Sequence, residues 1–295
     1  MEKAIIKTLA YADIFDYPLK AWEIHKWLIG PPAGRAGRKA TLRQIERALE
    51  RLIKKRKINA KKGYYFFYRR DSLIAKRLRK QEQATRYLRK ARFLVQVLKL
   101  IPWIKLVGIS GGLAMDNAGV LDDIDLFIIT ANRRVWITRF LTLGLLSLTG
   151  QRRNVTDSGR KIAGKLCINI LLEEDRLAQA KKDIFVAHEV LQMKVLWQRD
   201  GIYSRFLEDN NWAFKFLPNW IGHEKVSKVG KVPKVSKGKS FNILEKLAKW
   251  FQLKIMNKPQ GLERIEDGAL YFHPEDCGPK IVSEYKRRLV KISRA

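Results

Sequence analysis

Residues 103–130 read WIKLVGISGGLAMDNAGVLDDIDLFIIT, and the fold turns on this stretch. Its first apolar run, Ile104 to Ile109, has the β-branched bias of a buried strand and stops at Ser110-Gly111-Gly112, a loop without side-chain bulk. A short helical segment, Leu113 to Ala118, is expected next. The second run, Ile124 to Ile129, is headed by Asp123 and Asp125. Side chains at i and i+2 of a strand share a face, so these two carboxylates are expected to converge. Converging carboxylates repel unless a cation lies between them, and a hard divalent ion is the usual solution. The glycines, for their part, let backbone N–H groups approach phosphate oxygens that a larger side chain would hold away.

Downstream, Arg133 to Leu148 is nearly all apolar and too short to span a bilayer, which predicts a buried helix. Gly150 to Gly164 is polar and reads as a flexible loop. Lys165 to Leu172, KLCINILL, is a third strand candidate leading to Glu173-Glu174-Asp175. Asp183 is placed to cap a helix running through Arg199, and Ile202 to Leu217 a further helix stopped by Pro218. The aromatic residues Trp197, Tyr203, Phe206, Trp212, Phe214, Phe216 and Trp220 are expected to fill a core.

Upstream, Ile5, Ile6 and Leu9 recur at helical spacing, Asp16-Tyr17-Pro18 punctuates, and Leu19 to Leu28 forms the next element. A Gly, Pro and Arg rich loop, Gly30 to Ala40, precedes Thr41, an N-cap for a helix with Leu42, Ile45, Leu49, Leu52 and Ile53 in one apolar stripe. Ile58 to Phe67 reads as a hairpin turning at Lys61-Lys62-Gly63. Three helices and a basic hairpin resemble a winged helix, which implies contact with DNA or RNA through Arg43, Arg47, Lys61 and Lys62. Glu46 and Glu50 interrupt that positive face, and winged helices also serve as packing modules. Asp71 to Leu100 reads as one long helix crowded with basic residues, Lys76, Arg77, Arg79 and Lys80 among them, as a solvated face or a polyanion contact.

The chain has 60 Lys and Arg against 29 Asp and Glu, a formal charge of +31, which binds polyanions non-specifically at low salt. Nucleic acid, acidic lipid or an RNA-rich cytosol are the neighbours this implies, and adaptation to heat or salt is the alternative. No signal-peptide core or transmembrane segment is present, and two cysteines do not make a disulfide framework, so a cytoplasmic protein is expected. His223 to Ser240, with its Lys-Val-Ser, Lys-Val-Gly and Lys-Val-Pro units, reads as a mobile linker. Asn242 to Asn257 is amphipathic. It suits a membrane surface, although docking onto the folded body or a second subunit is the more usual fate of such a helix. His273 and Cys277 in HPEDC are two donors without a site and are read as surface residues.

Ser110-Gly111-Gly112, ten residues, then Asp123-Ile124-Asp125 closely resembles the signature of the nucleotidyltransferase superfamily, the fold of polymerase-beta-like and CCA-adding enzymes. The resemblance covers roughly residues 100 to 175, and His188-Glu189-Val190 with Leu217-Pro218-Asn219 looks like an uncharacterised prokaryotic branch. It implies an α+β fold: a nucleotidyltransferase-type mixed sheet with flanking helices, preceded by the helical winged-helix-like domain and followed by helical additions. The expected division is 1–70, a connecting helix 71–100, the catalytic domain 101–220, the linker 221–240, and a helix and tail 241–295.

The same resemblance implies Mg²⁺ or Mn²⁺ held by Asp123 and Asp125, with NTP phosphates on Ser110, Gly111 and Gly112, and transfer of a nucleoside monophosphate to an acceptor hydroxyl. Active members add a third carboxylate on the neighbouring strand. Here that strand presents Asn169, an oxygen donor for the metal with no negative charge. Glu173 lies about 13 Å further along the strand, too far to substitute. Two readings follow: an active nucleotidyltransferase, or an inactive nucleic-acid-binding or nucleotide-sensing protein that uses the winged helix and basic surface.

Overall fold

The computed structural model describes residues 1–30, 39–154, 157–221, 241–256, 262–273 and 276–294. The chain begins with helices α1 (Glu2–Ile14), α2 (Ala21–Lys26) and α3 (Leu42–Lys54), with a two-residue strand β1 (Leu19–Lys20) and the hairpin β2 (Asn59–Lys61) and β3 (Tyr64–Phe66). Helix α4 (Ser72–Leu98) leads to β4 (Ile104–Ile109), the single turn α5 (Gly111–Ala114), β5 (Ile124–Thr130), α6 (Val135–Leu148) and β6 (Leu166–Glu173). Then come α7 (Ile184–Gln192), β7 (Lys194–Gln198), α8 (Ile202–Asp209), α9 (Phe241–Ile255), the hairpin β8 (Leu262–Glu266) and β9 (Ala269–His273), and α10 (Cys277–Arg294).

The architecture is α+β, built on a mixed six-stranded sheet of order β7-β4-β5-β6-β9-β8. Only β5 and β6 are parallel; the other neighbours are antiparallel. The central strands are apolar on both sides because both faces are covered. Leu106, Phe127, Ile129 and Leu172 pack under α7, α8 and the α1–α10 pair, while Ile104, Val107, Leu126, Ile128 and Leu171 pack under α4 and α6. The two-residue period of the strands thus divides one sequence run between two cores.

Several expectations are met. Thr41 caps α3 in a capping box with Gln44, and Ile45, Leu49 and Leu52 are buried, although Leu42 at the first turn is exposed. The β2–β3 hairpin turns at Lys62 and Gly63, both with positive φ, the conformation that a two-residue hairpin turn requires. Tyr203, Phe206, Trp212 and Trp220 are buried, and Phe214 and Phe216 pack partly buried against them.

Others are corrected. The segment Leu19 to Leu28 divides into a short strand and a helix. The helix expected at Leu113 to Ala118 is one turn shifted back to Gly111–Ala114. That expected through Arg199 stops at Gln192, and Lys194–Gln198 instead pairs with the edge of β4, whose open backbone groups it satisfies. The one expected at Ile202 to Leu217 breaks at Asn210, whose side chain bonds the carbonyls of Phe206 and Leu177. Arg77 leaves the solvated basic face: it is buried against Glu23 with its guanidinium 3.9 Å from the Tyr17 ring centre. Residues 262–273 are not a tail. They supply two strands of the main sheet, so the sheet extends beyond residue 220, and α10 packs on α1. The linker 222–240, most of the loop 30–40, and Pro274 and Glu275 of HPEDC lie outside the described residues.

Helix α6, expected to be buried because it is apolar, is not buried in that way. Its inward side includes Thr138 and Thr142, while Phe140, Leu141 and Leu148 face outward. Among the described residues no helix is long and apolar enough to cross a membrane.

Candidate functional site

The site forms where β4 and β5 end at the same level of the sheet. The Ser110 amide donates to the Asp125 carbonyl at 3.1 Å, which fixes the glycine turn beside the head of β5. Gly111 has φ +65°, and a Cβ placed on it would lie 3.0 Å from Asp125 Oδ2. Both the backbone conformation and the space therefore require glycine. Because α5 is a single turn, what the loop offers an anion is individual N–H groups, not a helix dipole.

Asp123 and Asp125 converge as their two-residue spacing demands. Their carboxylate oxygens and Cys167 Sγ all lie within 4.8 Å of one another. Cys167 is the residue of β6 in register with Asp125. The register then slips: Leu126 faces Ile168 but Phe127 faces Ile170, so Asn169 is the extra residue of a bulge and is buried. Asn169 lines the same cavity as Asp125, one step beyond the direct lateral position. Glu173 is elsewhere, accepting from the amides of Arg134 and Val135 at 3.1 and 3.3 Å and capping α6.

Two further charged groups complete the arrangement. Arg153, from the polar loop after α6, donates from Nη1 to Asp123 Oδ2. Glu189, on α7, lines the same cavity as Gly111, whose amide favours its charged form. Asp125 and Glu189 are partly buried and line one cavity. Burial pushes the Asp125 carboxyl up to about 8, with the neighbouring Asp123 and Glu189 charges adding to the effect and Arg153 opposing it. Burial likewise pushes Glu189 up to about 7, partly offset by the Gly111 amide. The Cys167 thiol rises to about 12, from burial and then the two aspartates, so it stays neutral at physiological pH. His188 drops to about 4 through burial and stacks on Tyr11 at 3.9 Å, which makes it a neutral core histidine.

The cavity has a volume of about 730 Å³ and lies between the sheet and the N-terminal helices. Tyr11, Phe15, Tyr17 and Trp27 form an aromatic wall across from Gly111, Asp125 and Asn169. The wall is fastened to the glycine loop: Tyr17 donates to the Met115 carbonyl at 2.6 Å, and Asn117 Nδ2 donates to the Phe15 carbonyl at 3.2 Å. Ser110 Oγ and Asn117 Oδ1, on either side of the glycine turn, are buried without a hydrogen-bond partner. Buried polar atoms without a partner in the protein are met by water, an ion or a ligand.

The carboxylates of Asp123 and Asp125 with the Cys167 sulfur form a cluster that could hold a metal ion. The neutral thiol of Cys167 is its soft donor. Arg43, Arg47, Lys61 and Lys62 all lie exposed on α3 and the hairpin, with Lys61 3.7 Å from Asp71. The structure does not bring them to the cavity.

Comparison with family models, with characterised proteins and with solved structures returned no match. The site is therefore read from its own geometry. Of the residues expected from sequence, Gly111, Gly112, Asp125 and Asn169 line the cavity, Asp123 lies beside Asp125, and Ser110 is not part of the lining; Cys167, Arg153 and Glu189 were not anticipated as neighbours. The strand period puts Cys167 on the same face as Asn169, but the register that seats it beside Asp125 involves hydrogen bonds between distant segments. Arg153 lies in a loop with no periodic signal.

Proposed function

We propose that this chain is a Mg²⁺-dependent nucleotidyltransferase. The observation that carries the reading is the convergence of Asp123 and Asp125 beside a glycine turn in which Gly111 has a positive φ and closely approaches Asp125. In this reading Asp123 and Asp125 hold Mg²⁺ or Mn²⁺, with Asn169 oxygen as a neutral third donor, and the ion supplies charge neutralisation to the NTP phosphates. Ser110, Gly111 and Gly112 seat the phosphates through backbone N–H groups and the unpartnered Ser110 hydroxyl. Arg153, held by Asp123 in the absence of ligand, is within reach of phosphate oxygens once the ion takes its place. The aromatic wall of Tyr11, Phe15, Tyr17 and Trp27 excludes water from the reacting groups and favours a small, largely apolar acceptor carrying a hydroxyl over a polymer backbone.

The test is turnover. Purified protein with Mg²⁺ and each labelled NTP is expected to release pyrophosphate and label an acceptor, and Asp123→Ala with Asp125→Ala to abolish both. Product formation that survives the double variant sinks the proposal.

A second reading has its own observation. The lateral neighbour of Asp125 is Cys167, a group that stays neutral where a third carboxylate would supply charge. A protein that binds nucleotide without turning it over, with the winged-helix-like domain and its exposed Arg43, Arg47 and Lys62 contacting DNA or RNA, fits that feature. It is favoured if NTP binding is measurable, turnover is not, and a salt-dependent shift of nucleic acid is lost on changing those three residues.

A further inference from the structure

Helices α6 and α9 pack against each other. α9 docks through Ala248, Leu253 and Met256 and, between them, through two polar side chains, Glu245 and Gln252. Glu245 accepts from the amides of Trp136 and Ile137 at 2.8 and 3.0 Å, satisfying the open N-terminus of α6. Gln252 is buried, donates to the Trp136 carbonyl at 2.8 Å and accepts from Arg139 at 2.6 Å. With these residues turned inward, the apolar stripe points to solvent: Ile243, Leu247, Trp250 and Ile255 are 63%, 55%, 62% and 68% exposed. Phe251 and Phe140, in edge contact with centres 6.0 Å apart, join this stripe to the outward side of α6, where Leu148 is 86% exposed. Two adjacent helices thus turn Gln252, Thr138 and Thr142 inward along with part of their apolar side chains, while much of their apolar surface faces outward.

A contiguous exposed face of this kind marks a contact with an apolar phase or partner. The stretch 222–240 that precedes α9 in sequence has six lysines against one glutamate. Lys246, Lys249 and Lys254 lie on α9 itself, with Lys254 5.2 Å from the Trp250 ring centre. A second copy is disfavoured by charge, since each chain carries +31 and the two faces would bring these lysines together. An apolar stripe with tryptophan and lysines on the same helix is complementary to one surface above others: acyl chains beneath anionic headgroups.

We propose that the outer face of α6 and α9 binds the surface of an anionic phospholipid bilayer, with Leu247, Trp250 and Phe251 entering the headgroup region and the lysines contacting lipid phosphates. Nothing in this depends on the chemistry at Asp123 and Asp125. The full chain is mixed with phosphatidylcholine vesicles, with and without about 30% phosphatidylglycerol, and binding is read by flotation at low and high salt. Binding at least about tenfold tighter to the anionic vesicles is expected, together with a loss of about tenfold or more in Leu247→Ser/Trp250→Ser/Phe251→Ser, whose residues are exposed and whose thermal melting should stay that of wild type. Lys246→Glu/Lys249→Glu/Lys254→Glu is expected to lose the preference for phosphatidylglycerol. The proposal is overturned if the apolar variant binds as wild type does, which would assign binding to diffuse charge. It is equally overturned by absence of vesicle binding, or by a wild-type dimer in sedimentation that the apolar variant splits.

Discussion

Glu189 and Gly111 line the same cavity, and the Gly111 amide lowers the Glu189 carboxyl against the rise that burial causes, so a phosphate approaching that N–H meets an acidic group. An incoming triphosphate must displace that carboxylate or meet its charge. Glu189→Gln keeps an oxygen acceptor for Gly111 and removes the charge. NTP affinity is therefore expected to rise several-fold at pH 8. At pH 6, below the Glu189 value of about 7, the wild-type residue is mostly protonated and the two proteins should bind alike. Equilibrium binding of a non-hydrolysable NTP at the two pH values checks this. Weaker binding of the glutamine variant at both would instead make Glu189 a positive part of the site.

Arg153 and Asp123 form a partly buried ion pair at the place the proposed ion takes. The guanidinium competes with a metal for the same oxygens and repels it. Arg153→Ala should tighten Mn²⁺ binding by up to about tenfold, on the order of 1 kcal/mol, as read by paramagnetic titration. The same variant should weaken NTP binding, because the arginine is then missing from the phosphates. A variant unchanged in both would leave the pair as a purely structural contact.

These relationships show what one-dimensional information carries. The strands Ile104–Ile109 and Ile124–Thr130 were legible because composition and period both report burial on two faces, and the aspartates because period two fixes their common direction. Thr41 announced its helix through local capping chemistry. Legibility failed where distant segments decide. Cys167 reaches Asp125 through strand register, and β7 and the β8–β9 hairpin become strands because edges of the sheet were open to them. In α6 the apolar composition was read correctly as sequence and wrongly as burial. Which side of the helix faces inward is set by Glu245 and Gln252, more than a hundred residues away. Arg77, indistinguishable in sequence from its basic neighbours, is buried because Glu23 and two tyrosine rings meet it.

Asp125 makes stability depend on pH in a defined direction. Its folded value, about 8, is above the ordinary carboxylate value of 3.8, so between these limits the folded protein holds a proton that the unfolded chain has lost. Stability falls as pH rises through that window and levels off above it. Asp125→Asn is neutral throughout and should melt higher than wild type at pH 8.5, by about several degrees, with no gain near pH 4. Saturating Mg²⁺ should restore much of the difference to wild type and leave the asparagine variant unmoved. Thermal melts across pH, with and without the ion, measure all of this. A variant less stable than wild type at pH 8.5 without metal would contradict the desolvation account.

Arg77 and Glu23 lock α4 to the N-terminal helices, with side chains only 4% and 5% exposed and oxygen–nitrogen distances of 2.6 and 3.0 Å. Glu23 also accepts from the Lys20 amide at 2.8 Å, while the Arg77 Nε is buried without a partner, so the pair depends on the two guanidinium nitrogens that meet Glu23. Removing one leaves the other charge buried and alone. Arg77→Ala should cost about 3–5 kcal/mol in urea unfolding, whereas Arg77→Met with Glu23→Gln, which retains an acceptor for Lys20, should cost clearly less. Because the same guanidinium lies against Tyr17, whose hydroxyl holds the Met115 carbonyl, the loss should extend to the site. Arg77→Ala is expected to raise the KM for NTP more than it lowers kcat, through a loosened glycine loop. Equal destabilisation by the single and double variants would show that packing of the arginine stem, not the buried charge pair, joins the two parts of the chain.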